Sequence, residues 1–346
     1  MSSRTGELPS GAAVRAAGSA RFIARRLVSA VVTLFAVSVL TFGLFFAIPA
    51  DPAALQCGRG CTSQQVAQIS AQLGLDRPIA EQYVDFMWGI VAGRTIGSGE
   101  TAVECAAPCL GYSFRTFEPV TEMLKRSLPV TLSIVVGAVV LWLSAGVTLG
   151  VIAAVHRGTW IDKATIAAAL VGASSQIFFV GLMLQSLLVF GLGWLPLPSY
   201  VSPFEDPWGW FGGMLLPWVT LAFVVTAAYT RLTRSQMLDA LSEDFIRTAR
   251  AKGLPRRAVL RQALRAAITP VVTIAGLDIG AVLGGVVITE SVFGMPGLGK
   301  LSVQATQDLN LPVVMATVLL SAAFVVAANI VVDVLYAVID PRVRLG

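Results

Sequence analysis

The chain has 346 residues, 55% of them hydrophobic and only 13% charged, with a formal net charge of +5, a mean hydropathy of +0.76 and a pI near 9.3. An ordinary soluble domain carries about a quarter charged residues, so this composition excludes a disordered protein, a coiled coil and a small disulfide scaffold and points to a chain solvated mainly by lipid. The basic balance also fits a nucleic-acid partner, but long apolar runs make membrane orientation the better account of the excess Arg.

About 20 helical residues cross a hydrocarbon core. Apolar runs without Lys or Arg, holding only Asp278, Glu290 and Asp333 as charged residues, therefore predict six spans, at 27–48, 129–155, 164–190, 211–230, 271–291 and 312–336. The expected fold class is an all-α polytopic membrane protein with a partly helical outer loop domain over 49–128. Residues 1–26 form a polar tail without the apolar core of a secretory signal, and the first run is too long for one, so it reads as a retained start-transfer helix. The third run ends where GLGWLPLPSY (191–200) brings two prolines and interfacial aromatics. With the N-terminus inside, the inner segments hold five Arg before residue 27, two basic residues in 156–163, nine in 231–265, and Arg342 and Arg344 in the tail at 337–346. The outer segments hold six in 49–128 and Lys300. Both termini are expected in the cytoplasm.

In the outer loop, Thr62 and Gln65 fit a capping box ahead of a helix that Gly74 stops. A second helix starts near Pro78 and runs to Gly93, with Phe86 and Trp88 placing it on the membrane surface or against the bundle. All four cysteines lie here, Cys57, Cys61, Cys105 and Cys109, as two C-x3-C pairs. An even count on an oxidising face reads as two disulfides, paired locally or across the two segments. A four-thiolate metal site is the rival; the spacing departs from C-x2-C, so no metal is expected.

The segment at 231–270 carries the most punctuation. Ser242 is placed to cap a short helix with Glu243 and Asp244 in its first turn and Phe245, Arg247, Thr248 and Ala249 along it. Arg250 and Lys252 fall in its last turn; Gly253 and Pro255 stop it, and Pro255 opens a second helix that continues into span five. A solvated basic loop, or one bound to anionic lipid, explains the charge but not these helix signals.

Span five holds Gly276, Gly280 and Gly284, a small-residue ladder that lets another helix approach. Asp278 falls on a different face. A carboxylate at that depth is costly and is expected to line a pathway, with a buried hydrogen-bond network as the alternative. Glu290, near the outer end, gates the pathway or snorkels. Residues 292–311 form a re-entrant turn in which Gly294 to Lys300 nearly spell a phosphate-binding loop. Leu301 lacks the hydroxyl that such a loop places on magnesium, so ATP binding is not expected here. His156, the only histidine, reads as a solvated boundary residue.

RTARAKGL (247–254) with Pro270 resembles the loop signature of ABC-importer permeases in their dipeptide, oligopeptide and nickel branch. The resemblance extends through LGLDRPIAEQY, GWLPLPSY, YTRLTRSQML and GLDIGAVLGGVVITESVFGMPGLGKL to NIVVDVLYAVIDPRVR. The generic Glu-Ala-Ala start is replaced by Arg247-Thr248-Ala249, and the cysteine segments stand outside the pattern. The resemblance implies a type I importer permease in a bacterial inner membrane, without enzymatic chemistry or a cofactor of its own. Its short helix, Glu243 to Gly253, would dock on a separate ATPase. It further implies two such ATPases binding ATP and magnesium, a second related permease and an external substrate-binding protein. The cargo would be a di- or oligopeptide, with nickel or glutathione-like peptides as alternatives. An ion-coupled secondary transporter, the competing class, predicts acidic residues in several spans and inverted repeats; one deep carboxylate and no clear repeat are present.

Overall fold

The computed structural model describes residues 11–44, 53, 62–73, 77–96, 102–113 and 115–339. Cys57, Cys61 and Gly74 and the tail from 340 lie outside these residues. In hydrocarbon a backbone N–H or C=O finds no water, so a chain this apolar satisfies both groups inside helices. Helix α1 spans Gly11–Phe42, and its part Ala24–Phe42 is long and apolar enough to cross a bilayer.

The outer loop is partly helical. Helix α2, Ser63–Leu73, opens on the predicted capping box. Thr62 N donates to Gln65 Oε1 at 2.9 Å and Gln65 N to Thr62 Oγ1 at 3.4 Å. Helix α3, Ile79–Ala92, starts after Pro78 and ends at Gly93, whose φ of 76° only glycine adopts cheaply. Two short antiparallel pairs follow: β1 (Arg94–Ile96) with β2 (Val103–Cys105), and β3 (Tyr112–Ser113) with β4 (Glu118–Pro119). Cys105 and Cys109 form a local disulfide with Cα atoms 5.4 Å apart.

Four further segments pass the same test of length and hydropathy: Val120–Val155, Pro207–Ser242, Arg256–Val282 and Leu311–Val331. They belong to α4 (Val120–Val155), α7 (Pro207–Ser242), α9 (Arg256–Gly285) and α12 (Leu311–Ile339). Three outrun the apolar runs. Helix α4 begins at Val120 rather than at 129 and carries Pro129 within it, and α7 continues to Ser242. Charge absence marks the hydrocarbon, not the helix; the added turns hold Glu122, Lys125 and Arg126 in α4 and Arg231 and Arg234 in α7.

The third run differs from the single straight span expected. It forms α5 (Trp160–Ser174) and α6 (Ile177–Gln185, continued by a π-turn to Gly191), bent by 101°. No proline stands at the break; Gly172 lies in the last turn before it, and its carbonyl accepts from Ser175 N at 3.2 Å. Ser174 and Ser175 turn their hydroxyls back on the carbonyls of Leu170 and Val171 at 3.0 and 2.8 Å, while Ser175 and Gln176 take extended backbone. Ser175 N bonds Gly172 O instead of Val171 O, so the Ser175 hydroxyl satisfies the one carbonyl the tightened turn gives up. After α9 come α10 (Val287–Val292) and α11 (Leu298–Gln307).

Helices α4 and α7 form the most intimate pair. Trp142, Ile134 and Val130 of α4 pack with Met214, Trp218 and Tyr229 of α7. Three glycines of α4 permit the approach. A Cβ at Gly146 would lie 2.6 Å from Tyr229 Cβ, one at Gly150 would lie 2.8 Å from the carbonyl oxygen of Thr230, and one at Gly137 would overlap the Trp218 ring. Gly146 and Gly150 are a G-x-x-x-G pair that the sequence reading passed over in favour of the span-five ladder. In that ladder Gly280 does face a neighbour, Val325 and Ala328 of α12, but at ordinary contact distance. Gly150→Ala should therefore lower the thermal unfolding midpoint of the purified protein, at a cost of about 1–3 kcal/mol. Gly43→Ala, where nothing lies within 4 Å of the added atom, should leave it unchanged.

Candidate functional site

The base of the bundle, at its Lys- and Arg-rich end, is built around α8, Asp244–Ala251. Ser242 does not cap this helix. Its Oγ donates to Asp239 O at 2.7 Å, and Glu243 occupies the N-cap with no side-chain cap bond. The stop is as expected and has a definite form. Gly253 takes φ 72°, its N–H donates to Arg250 O at 2.9 Å, and Leu254 N donates to Ala249 O at 3.3 Å. This is a Schellman closure, and the left-handed residue it needs is the glycine.

The helix is two-faced. Ile246 and Ala249 are buried against Met237 and Ala240 of α7 and Val259, Ala263 and Ala267 of α9. Glu243, Asp244, Phe245, Arg247, Thr248, Arg250, Lys252 and Gly253 are exposed. Ala249, grouped from sequence with the docking residues, thus points into the chain's own bundle. Phe245 is an aromatic knob left 45% exposed among charged neighbours.

One turn above this base lies an ion pair that sequence reasoning missed. Asp162, in the first turn of α5, accepts from Arg234 Nε at 2.6 Å and Nη2 at 2.9 Å, and from Gly158 N at 2.9 Å. The two side chains keep 5% and 23% of their surface. Such a fork fixes geometry as well as charge. The Arg234 hydrogen bonds, helped by Gly158 N–H, hold the Asp162 carboxyl down to about 2. The only clue in the sequence was an acidic residue beside a basic turn, which an arginine 72 positions away completes.

Asp278 lies on α9, half-buried, and accepts from the hydroxyl of Tyr229 on α7 at 2.7 Å. Tyr229 itself is buried and tilts against Trp142 at a ring separation of 6.4 Å. The carboxylate therefore belongs to a polar network and still keeps an open side. Gly276 and Gly280 are both buried; the side-chain surroundings of Gly284 lie outside the described residues.

Glu290 is fully buried and, with Thr131, Gly299 and Ser302, borders a cavity of about 180 Å³. Thr131 of α4 donates to Oε1 at 2.6 Å and accepts from Leu298 N at 2.9 Å. Lys300 N donates to Oε2 at 2.9 Å, and the Gly299 N–H also reaches the carboxylate. The near-phosphate loop is an anion cradle at the N-terminus of α11, and the chain's own Glu290 fills it. Gly297 is required there, since a Cβ would overlap that carboxylate.

Residues 19–135 match the family of binding-protein-dependent transport system membrane components in its N-terminal part, and residues 146–345 match the binding-protein-dependent transport system inner membrane component. The chain belongs to this family. It is similar to the dipeptide transport system permease protein DppB of Escherichia coli K12, 37% identical over 349 residues covering 94% of this chain and 98% of that one. It is also similar to a putative peptide transport system permease of Brucella abortus, 36% identical over 323 residues covering 93% and 98%. A probable peptide ABC transporter permease of Sinorhizobium fredii is 35% identical over 324 residues, covering 93% and 99%. The family is a multi-pass transport permease component that works with other ABC components, not a catalytic subunit. Membership displaces the ion-coupled secondary transporter. Within the family match, α8 and the Asp162–Arg234 fork stand together at one end of the bundle and Glu290 at the other.

Removing one partner of the fork should cost roughly 2–3 kcal/mol, below the fully buried range because Arg234 stays partly wet. Arg234→Ala and Asp162→Asn together should show a coupling of about 1–3 kcal/mol in a double-mutant cycle of thermal unfolding. Because the folded carboxyl is held low, its contribution is complete above the ordinary value near 3.9. It disappears only as pH falls toward about 2. The coupling should hence be flat between about pH 5 and 8.

Proposed function

We propose that this chain is the permease subunit of an ATP-driven importer of di- or oligopeptides, forming half of the translocation pathway. The family and the names of its relatives support the transport class and the peptide cargo. The observation that carries the mechanism is α8: a short helix with a hard stop, one face seated in the bundle and the other exposed.

In this reading α8 docks on one of two ATPase subunits, which bind ATP and magnesium. A second, related permease completes the pathway, and an external binding protein delivers the cargo. The complex sits in a bacterial inner membrane with both termini of this chain in the cytoplasm, the side where Arg and Lys concentrate. Phe245 enters the ATPase as an apolar knob, with Glu243, Asp244, Arg247, Thr248, Arg250 and Lys252 around it. A push on α8 reaches α7 and α9 through Ile246 and Ala249, and α5 through Arg234 and Asp162. Closure of the ATPases thereby moves helices rather than a loop, which is what alternation between inward- and outward-open states demands.

Asp278 lies along that route. Its open side fits a water-lined or cargo-lined position, since a carboxylate bordering lipid at mid-span costs a few kcal/mol. Tyr229 fixes its orientation. Glu290 acts differently, as an internal brace between α4 and the turn before α11.

Phe245→Ala should cut ATP-dependent uptake by the reconstituted complex at least tenfold and abolish stimulation of its ATPase by loaded binding protein, with the thermal midpoint of the permease unchanged. Full stimulation and uptake in that variant would refute the docking role. Asp278→Asn keeps an acceptor for Tyr229 but removes the charge; uptake should fall severalfold with ATPase stimulation retained. Uptake equal to that of the unsubstituted protein would remove Asp278 from the pathway.

A further inference from the structure

Helix α3 presents three arcs when its residues are projected at about 100° each. Tyr83, Phe86, Met87 and Ile90 pack on Phe42 of α1 and on Met315 and Leu319 of α12. Beside them Val84, Trp88 and Val91 form an apolar stripe that is 63%, 69% and 75% exposed. Past the stripe come Glu81, Gln82 and Asp85, with Asp85 paired to Arg77 at 3.0 Å. A helix within the bundle would lack the open apolar stripe, and a helix standing in water would not carry it at all.

The depth of α3 is fixed twice. The Tyr83 ring lies 6.2 Å from Phe35 and 5.4 Å from Phe42, and its hydroxyl lies 2.6 Å from Ser38 Oγ. Phe35 and Phe42 are about 10 Å apart along α1, and both belong to its membrane-crossing part, Ala24–Phe42. On α12, which begins at Leu311, Met315 and Leu319 lie about 6 and 12 Å in from the start. So α3 lies beside the ends of the spans, not beyond them. The adjoining surface of α1 is open and apolar, with Val31, Val32, Phe35 and Val39 exposed.

We propose that α3 is an interfacial helix whose Val84, Trp88 and Val91 insert among the lipids of the leaflet at the Phe42 end of α1, while Glu81 and Asp85 face water. The proposal rests on α1 and α12 crossing a bilayer and is independent of what the complex transports. The helix also carries the disulfide loop. Its Gly89 carbonyl accepts from Cys109 N at 3.2 Å, and the Arg94 guanidinium sits 5.6 Å over the Phe86 ring. The seating of α3 in the leaflet hence sets the height of the loop closed by Cys105 and Cys109.

The test places nitroxide side chains one at a time at 81, 84, 85, 88, 90 and 91 by non-natural amino-acid incorporation, which leaves the cysteines untouched. The complete complex is examined in lipid nanodiscs. At 84, 88 and 91 the ratio of collision with oxygen to collision with a water-soluble nickel chelate should exceed that at 81 and 85 severalfold; position 90 should be shielded from both. A high nickel value at 84, 88 and 91 would place the stripe in water and overturn the proposal. Shielding from both reagents there would mean that another protein covers it, which overturns it equally. Should a labelled chain fail to assemble, photoactivatable phospholipids added to the unlabelled complex should mark peptides from 79–92, and an unmarked helix would count against lipid contact.

Discussion

The close approach of α4 and α7 is the constraint on which the other features rest. Gly146 and Gly150 let the two backbones meet, so α7 can be positioned to within the tolerance of a single methyl group. Everything at the basic end is then hung on α7 in order. Tyr229 reaches Asp278 of α9, Arg234 reaches Asp162 of α5, and Met237 and Ala240 receive Ile246 and Ala249 of α8. Between Trp218 and Ser242 the helix contains neither glycine nor proline, so nothing in that stretch invites a bend. A displacement of α8 therefore meets one stiff rod rather than a series of independent contacts.

The membrane charges obey a second constraint. The six apolar runs contain no Lys or Arg, so a carboxylate inside them has to be met by neutral donors. Among the described side chains two solutions appear. Asp278 takes a phenol hydroxyl and stays half-buried, whereas Glu290 takes a threonine hydroxyl and backbone N–H groups and is fully buried. A fully satisfied buried carboxylate rigidifies its surroundings; a partly open one is available to something that passes. That difference, more than depth in the membrane, separates a brace from a candidate pathway residue.

What was legible in the sequence was local. The capping box at Thr62, the start at Pro78, the stops at Gly93 and Gly253 and the opening at Pro255 each depend on a few neighbouring residues, and each stands where the pattern put it. The break after Ser174 escaped because no proline marks it and a lone glycine, Gly172, is common in spans; the serine hydroxyls beside it look like those of ordinary span residues. Ser242 was assigned a cap by spacing, but its hydroxyl found the nearer carbonyl of Asp239. The side-chain partners of Asp278, Glu290 and Asp162 lie 49, 159 and 72 residues away, distances over which a single sequence carries no pairing information. Composition could say that these charges needed partners, not which ones.

The segment Gly294 to Lys300 shows what a short motif does encode. Its glycines and helix start create converging N–H groups, which is the physical property a phosphate loop and this turn share. The missing hydroxyl at Leu301 argued against nucleotide from the absence of a magnesium ligand. The geometry gives a stronger reason: the cradle is occupied from within, because Met295 N bonds the backbone carbonyl of Glu290 at 2.8 Å and folds the loop over that residue's own carboxylate. An anion site that supplies its own anion binds no other. It ties α4, through Thr131, to the start of α11. The same N–H array that would make an enzyme's substrate site elsewhere here makes a joint between helices.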